Sequence, residues 1–189
     1  MSIAEFFGFK PRPRPRPRLP QLKQGDSFLF LGRKVTLQCV VTLRKKVFFS
    51  AFEDVLLLHV PQAQWLRDGR YSFYELMLQF YEKEGRAWIN KRTQLWAEQM
   101  KLHPKKVKFR APKTRWGSCS SAGSINFNWK LIVFNPEVID YVIIHELAHL
   151  QHLNHSRTYW ELVEKHCPDY KIYEKVLKTN HTDVQFLKT

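Results

Sequence analysis

The segment Val138–Leu150 is the most hydrophobic long stretch of the chain, yet Asp140, His145, Glu146 and His149 interrupt it. Asn135-Pro136-Glu137 precedes it: an N-cap residue, a proline at the first helical position and an early carboxylate, together a strong helix start. With Val142, Ile143, Ile144, Leu147 and Ala148 around the polar residues, this helix has to be buried. A fold for this chain must therefore place a helix in its core and find partners for the histidines and carboxylates it carries. The pattern predicts a helix from Pro136 to about Leu153, and a second from near Ser156 to just before Pro168.

Residues four apart on a helix share a face, so His145 and His149 can reach one ion. Glu146 lies beside the first histidine, free to address water without ligating. That is the H-E-x-x-H arrangement of zinc hydrolases, with His145 and His149 as metal ligands and Glu146 as the catalytic residue. A buried His-Glu-His cluster with no metal would be costly. A catalytic zinc keeps one position open and takes a third protein ligand. His152 is seven residues beyond His145, about 10.5 Å further along a straight helix, and three ligands in line cannot surround an ion. His155 follows Leu153-Asn154, where a helix end in the left-handed conformation would swing the chain back. His155 is the favoured third ligand, with Glu161 or Glu164 of the second helix as alternatives. A purely structural zinc site is closed by four Cys or His ligands, and only three convincing ligands are visible.

Upstream, Ser27–Leu31, Lys34–Leu43 and Lys46–Phe52 read as a three-run β-meander with turns at Gly25-Asp26 and Leu31-Gly32-Arg33. Residues 72–100 read as one long helix or two in succession, with Ser72 as N-cap and an aromatic stripe better suited to the core than to binding. Val107–Ala111 is a strand candidate. Thr114–Ser121 reads as a turn-rich loop in which Trp116 anchors packing and Gly117 turns the chain. Ile125, Phe127 and Trp129 alternate with polar residues as in a half-buried strand, which Leu131–Phe134 would continue.

The organisation is thus an arm at 1–24, a β-meander and helical region at 25–104, and a metal-binding region at 105–189, forming one globular unit. The arm contains PRPRPRPRLP at 11–20, in which proline enforces extended polyproline II with exposed arginines. The chain carries 31 Lys and Arg against 17 Asp and Glu, a net charge of +14, which suits either a scattered basic face or a polyanionic partner. No apolar run approaches the ~18 residues of a membrane span, and no secretory signal precedes the prolines, so no membrane association is expected. Three cysteines give no disulfide framework, and a reducing, cytoplasmic location follows.

The run from Thr114 to Lys171 is similar to the YgjP-like metallopeptidases, relatives of the SprT and WLM zincins. The matching pieces are TRWGSCS at 114–120, INFNWKLI at 125–132, YVIIHELAHL at 141–150, NHSRTYW at 154–160 and CPDYK at 167–171. Weaker similarity extends upstream to the arm, which lies outside the family pattern. The resemblance implies an α+β zincin-like fold, with a small sheet packed on the H-E-x-x-H helix, and it implies that His155 is the third ligand. Tyr159 stands where the family often has Phe.

The function expected is a zinc-dependent metallopeptidase acting on a peptide or protein substrate, with Zn2+ activating water and Glu146 as general base. The strand at Ser124–Asn128, which includes Asn126, would receive an extended peptide by strand addition. Arg115, Arg157 and Tyr159 flank the motifs as substrate-binding or oxyanion-stabilising candidates, and Asp140 is considered as an orienting partner for a ligand histidine. Two alternatives rest on the basic balance, including Lys105, Lys106, Lys108, Arg110, Lys113 and Arg115. One is a metal-dependent nucleotide pyrophosphohydrolase. The other is a nucleic-acid-associated SprT-like protease. Against the first, there is no Gly-rich phosphate loop and no carboxylate-rich magnesium site. Oligomeric state is not legible.

Overall fold

In the computed structural model, residues 25–62, 73–112 and 114–179 are described. The Pro-Arg arm, Ser72 and Lys113 lie outside them. Four strands come first: β1 (Ser27–Phe30), β2 (Arg33–Thr42), β3 (Phe48–Phe52) and β4 (Val55–Pro61). They form one sheet in the order β1-β2-β4-β3, with β1–β2 and β3–β4 antiparallel and β2–β4 parallel. The three-run meander expected from the sequence thus becomes a four-stranded sheet. Val55–Pro61, a nearly unbroken apolar run, inserts between β2 and β3 as a central strand. One face buries Val35 and Leu37 of β2 with Leu56, Leu58 and Val60 of β4.

Helix α1 (Phe73–Met100) is a single helix of 28 residues. Gly85 lies inside it because the 3-10 turn Trp129–Val133 comes close: a Cβ at Gly85 would lie 3.3 Å from the Trp129 carbonyl carbon and closer still to its oxygen. Tyr81, fully buried, donates its hydroxyl to the Leu29 carbonyl at 2.8 Å, fixing α1 to the first hairpin.

The second sheet has three strands: β5 (Lys106–Arg110), β6 (Gly117–Cys119) and β7 (Ser124–Asn128). Their order is β5-β7-β6, with β7 parallel to β5 and antiparallel to β6. Part of the segment expected as loop is therefore strand β6. Leu131–Phe134 does not prolong β7, because the chain tightens into the 3-10 turn after Asn128, whose side-chain oxygen accepts from Lys130 N–H at 3.1 Å. The side-chain nitrogen of Asn128 donates to the carbonyls of Pro112 and Arg115, at 3.1 and 3.2 Å, securing the loop before β6.

Helix α2 (Pro136–Ala148) runs through the centre of the core, contacted by α1, β6, α3 (Arg157–His166) and α4 (Tyr170–Thr179). Asn135 has the extended backbone of an N-cap but makes no side-chain capping bond. The helix start is braced from afar: Leu31 and Gly32, in the β1–β2 turn, donate their N–H groups to the carbonyls of Ile132 and Val133, at 2.7 and 3.1 Å. Asp140 takes the guanidinium of Arg92 on α1 through two hydrogen bonds, so it joins two helices and does not orient a histidine. No helix among the described residues is long and apolar enough to cross a membrane.

Candidate active site

Helix α2 ends at Ala148, five residues before the expected limit. Its last turn tightens: Leu150 N–H bonds to the Leu147 carbonyl at 2.9 Å, and Gln151 N–H to the Ala148 carbonyl at 3.1 Å. This early exit frees residues 149–156 to fold back, and α3 restarts at Arg157 with Ser156 Oγ accepting from Tyr159 N–H at 3.3 Å. A helix continued to Leu153 would have carried His155 away from His145.

As it is, ligating atoms of His145, His149 and His155 all lie within 4.8 Å of one another. The Nε2 atoms of His145 and His155 are 3.5 Å apart. A tetrahedral ion about 2.0–2.1 Å from each nitrogen separates neighbouring nitrogens by about 3.4 Å. His149 Nδ1 lies 3.0 Å from the His152 carbonyl oxygen. A carbonyl only accepts, so Nδ1 carries the proton and Nε2 keeps its lone pair, the usual outer bond of a metal-ligating histidine. His152 therefore serves the site through its backbone. Burial, reinforced by the two neighbouring imidazoles, holds His145 down to about 3, and burial also lowers His149. Neutral imidazoles are the form that ligates.

Glu146 is 5% exposed, and its Oε2 is buried with no hydrogen-bond partner. Burial pushes its carboxyl up to about 8, against the opposing effect of the Arg115 charge. Gly117 of β6 makes room for it, because a Cβ there would sit 2.7 Å from both Cγ and Cδ of Glu146. The expectation of a simple turn residue misses this role. Cys119, on the same side of β6, is raised to about 11 by burial and by the Glu146 charge.

Aromatic rings support the imidazoles. Tyr159 is fully buried, its ring stacks on His149 with centroids 4.6 Å apart, and its hydroxyl donates to the His145 carbonyl at 3.1 Å. It offers no hydroxyl to a substrate, which corrects its place among the binding candidates. Trp160, missed by the sequence reading, stacks on His155 at 5.5 Å and on Tyr170 at 5.0 Å. The side chain of Arg157 is 92% exposed and pairs with Glu161 at 2.8 Å. That pairing also occupies Glu161, one of the alternative ligands, which is not among the converging groups.

Strand β7 is paired on both sides, so it cannot accept an added strand. Among the described residues the outer strands of this sheet are β5 and β6, and β6 is the one whose Gly117 abuts Glu146. Asn128 N–H bonds to the Trp116 carbonyl, and Ser120 N–H to the Ser124 carbonyl. In this alternation Ser118 faces β7, while the backbone groups of Gly117 and Cys119 turn to the open edge. Arg115 and Asn126 line a groove of about 470 Å³ on the other face of this sheet.

An α+β chain that seats an H-E-x-x-H helix beneath a small sheet falls in the zincin-like class of metallopeptidases. Residues 9–180 match the family described as YgjP-like, metallopeptidase domain, so the match takes in the Pro-Arg segment at 11–20 that was expected to lie outside the family pattern. The chain belongs to that family, and is accordingly a metal-dependent peptidase of peptide or protein substrates. The crystal structure of the metallopeptidase zymogen of Pyrococcus abyssi abylysin is similar at 26% identity and a TM-score of 0.45, over 49% of this chain and 93% of that one. No curated protein matches the chain.

Proposed function

We propose that the chain is a zinc metallopeptidase whose ion is held by His145, His149 and His155 and whose general base is Glu146. The observation that carries the reading is the convergence of the three imidazoles beside a buried carboxyl with one unpartnered oxygen. Three neutral nitrogen donors and one open position are the donor set of a catalytic zinc.

Zinc bound there would supply Lewis acidity, polarising a substrate carbonyl and making water easier to deprotonate. Glu146 takes the proton from the attacking water at its carboxylate and delivers it to the departing amine. A carboxyl displaced toward neutrality by burial suits both directions of transfer. His149 holds its orientation through the His152 carbonyl, and Tyr159 fixes the helix carbonyl of His145. The substrate lies extended along the β6 edge, where the outward groups of Gly117 and Cys119 offer main-chain hydrogen bonds. Arg115 and Asn126 contact its side chains.

The test compares the native chain with Glu146→Gln on a peptide library, with bound metal measured in both. The expected result is one zinc per chain in each, with turnover confined to the native chain and abolished by a chelator. Comparable turnover by the variant would refute the role of Glu146, and absence of zinc after reconstitution would refute the site.

A further inference from the structure

The outer face of the second sheet carries a feature that peptide hydrolysis alone does not use. Residues of one parity in β5, β6 and β7 share that face: Lys108 is opposite Asn126, Arg110 is opposite Asn128, and Ser118 is opposite Asn126 on the other side. Together with Arg115, these residues line the groove of about 470 Å³, and no carboxylate of the described residues lines it. Lys108, Arg110 and Arg115 make no salt bridge with any described residue. Three cations around one concavity, none of them in a salt bridge with a described carboxylate, create a positive field that attracts anions. The groove reaches the catalytic centre through Gly117, which lines it and also abuts Glu146.

We infer that this groove is a specificity subsite for acidic side chains of the peptide substrate. The inference rests on the peptidase reading and adds to it the class of substrate. A peptide added to the β6 edge sends successive side chains to opposite faces of the sheet. Those on the side of Gly117 point toward Glu146, and those level with Ser118 point to the groove. Aspartate or glutamate at every second position near the cleaved bond therefore meets Arg115 first, then Lys108 and Arg110 further across. Guanidinium groups match carboxylates in bidentate geometry, and the amide of Asn126 adds a neutral donor. A nucleic acid would also find positive charge here. The aromatic residues of the lining, however, are engaged in packing: Phe127 is buried and Trp116 meets Phe134 edge to face at 5.1 Å. The groove thus lacks the stacking platform that single strands use.

Binding and cleavage, measured separately, test this. Fluorescence anisotropy of the full-length Glu146→Gln variant reads the affinity of two labelled peptides, one with Glu at alternate positions and the other with Gln. The Glu peptide is expected to bind about 10-fold more tightly at low salt, as two or three exposed ion pairs would give, with the gap closing as salt rises. Lys108→Glu/Arg110→Glu should reverse the preference in favour of a Lys-substituted peptide. Equal affinities for the two peptides, no binding of either, or tighter binding of a single-stranded oligonucleotide than of the Glu peptide would each overturn the subsite. Cleavage of both peptides by the native chain at equal kcat/KM, with equal affinities, would leave the peptidase reading standing and remove only this inference. Preferential binding of the Glu peptide with no cleavage would do the reverse.

Discussion

Gly117 and Glu146, 29 positions apart in sequence, are in van der Waals contact, and the strand backbone leaves no space for a side chain over the carboxyl. Gly117→Ala would bring a methyl to 2.7 Å from Cγ and Cδ, so either β6 or Glu146 must move. Displacing a proton-transfer group by about 1 Å costs about 100-fold in turnover. We expect kcat to fall by about that factor while zinc content stays at the native level, measured by steady-state kinetics beside elemental analysis. Native kcat in the variant would show that the contact is not needed.

The pH dependence of the metal-free chain follows from opposite shifts. Glu146 holds its proton up to about 8 in the folded chain and to about 4.5 when unfolded, so its contribution to stability is full below 4.5 and is lost as pH rises through 8. His145 is lowered to about 3 from an unfolded 6.5, so its contribution is full above 6.5 and is lost as pH falls toward 3. His149 is lowered too and adds to the acid side. The metal-free protein should be most stable at about pH 6, with each limb falling on the order of 1 kcal/mol per pH unit. Urea unfolding of Glu146→Gln should retain the acid limb and lose the alkaline one. An unchanged alkaline limb would mean that Glu146 is not the buried acid.

His155 is the exposed member of the three histidines, and its ring is placed by stacking on Trp160. Trp160→Ala should weaken zinc binding about 10-fold in chelator competition, as loss of an orienting neighbour does. Trp160→Phe should restore most of the affinity. Affinity unchanged in Trp160→Ala would show that the loop alone sets the imidazole.

For Tyr159 the expectation is a loss of stability and not of chemistry. Tyr159→Phe removes one hydrogen bond to the His145 carbonyl and should cost about 1 kcal/mol in denaturant unfolding. Its kcat should stay within a few-fold of native. A fall of about 100-fold, the usual loss for an oxyanion donor, would reinstate the hydroxyl as a transition-state group.

The metal-helix pattern was legible because polar residues with a four-residue spacing stand out in an apolar segment. His155 was argued from a left-handed turn at Asn154, but Asn154 has no positive φ, and the chain turns back because the helix ends earlier, at Ala148. Ala148 terminates α2 through bonds of the following turn and through the His149 contact with the His152 carbonyl, neither of which has a strong local marker. Strand β4 was missed because both of its faces carry apolar residues although only one is fully buried, so the sequence shows little alternation, and its place between β2 and β3 is set by non-local pairing. Glycine permits many conformations, so Gly117 read as a turn; only its distant neighbour reveals why no side chain fits. By contrast, the Lys-Val-Lys-Phe-Arg alternation of residues 106–110 contained the cationic face all along, since period 2 places Lys106, Lys108 and Arg110 on one side of a strand.

The bonds from the Leu31 and Gly32 amides to the carbonyls just ahead of α2 span about a hundred residues. Closing so long a loop is entropically expensive and slow. The hairpin is synthesised first and must wait for the histidine-bearing segment to emerge before either is complete. Catalytic competence should consequently be a late event in folding, and a nascent chain that has not yet released its last third is protected from premature proteolytic activity by the order of its own assembly.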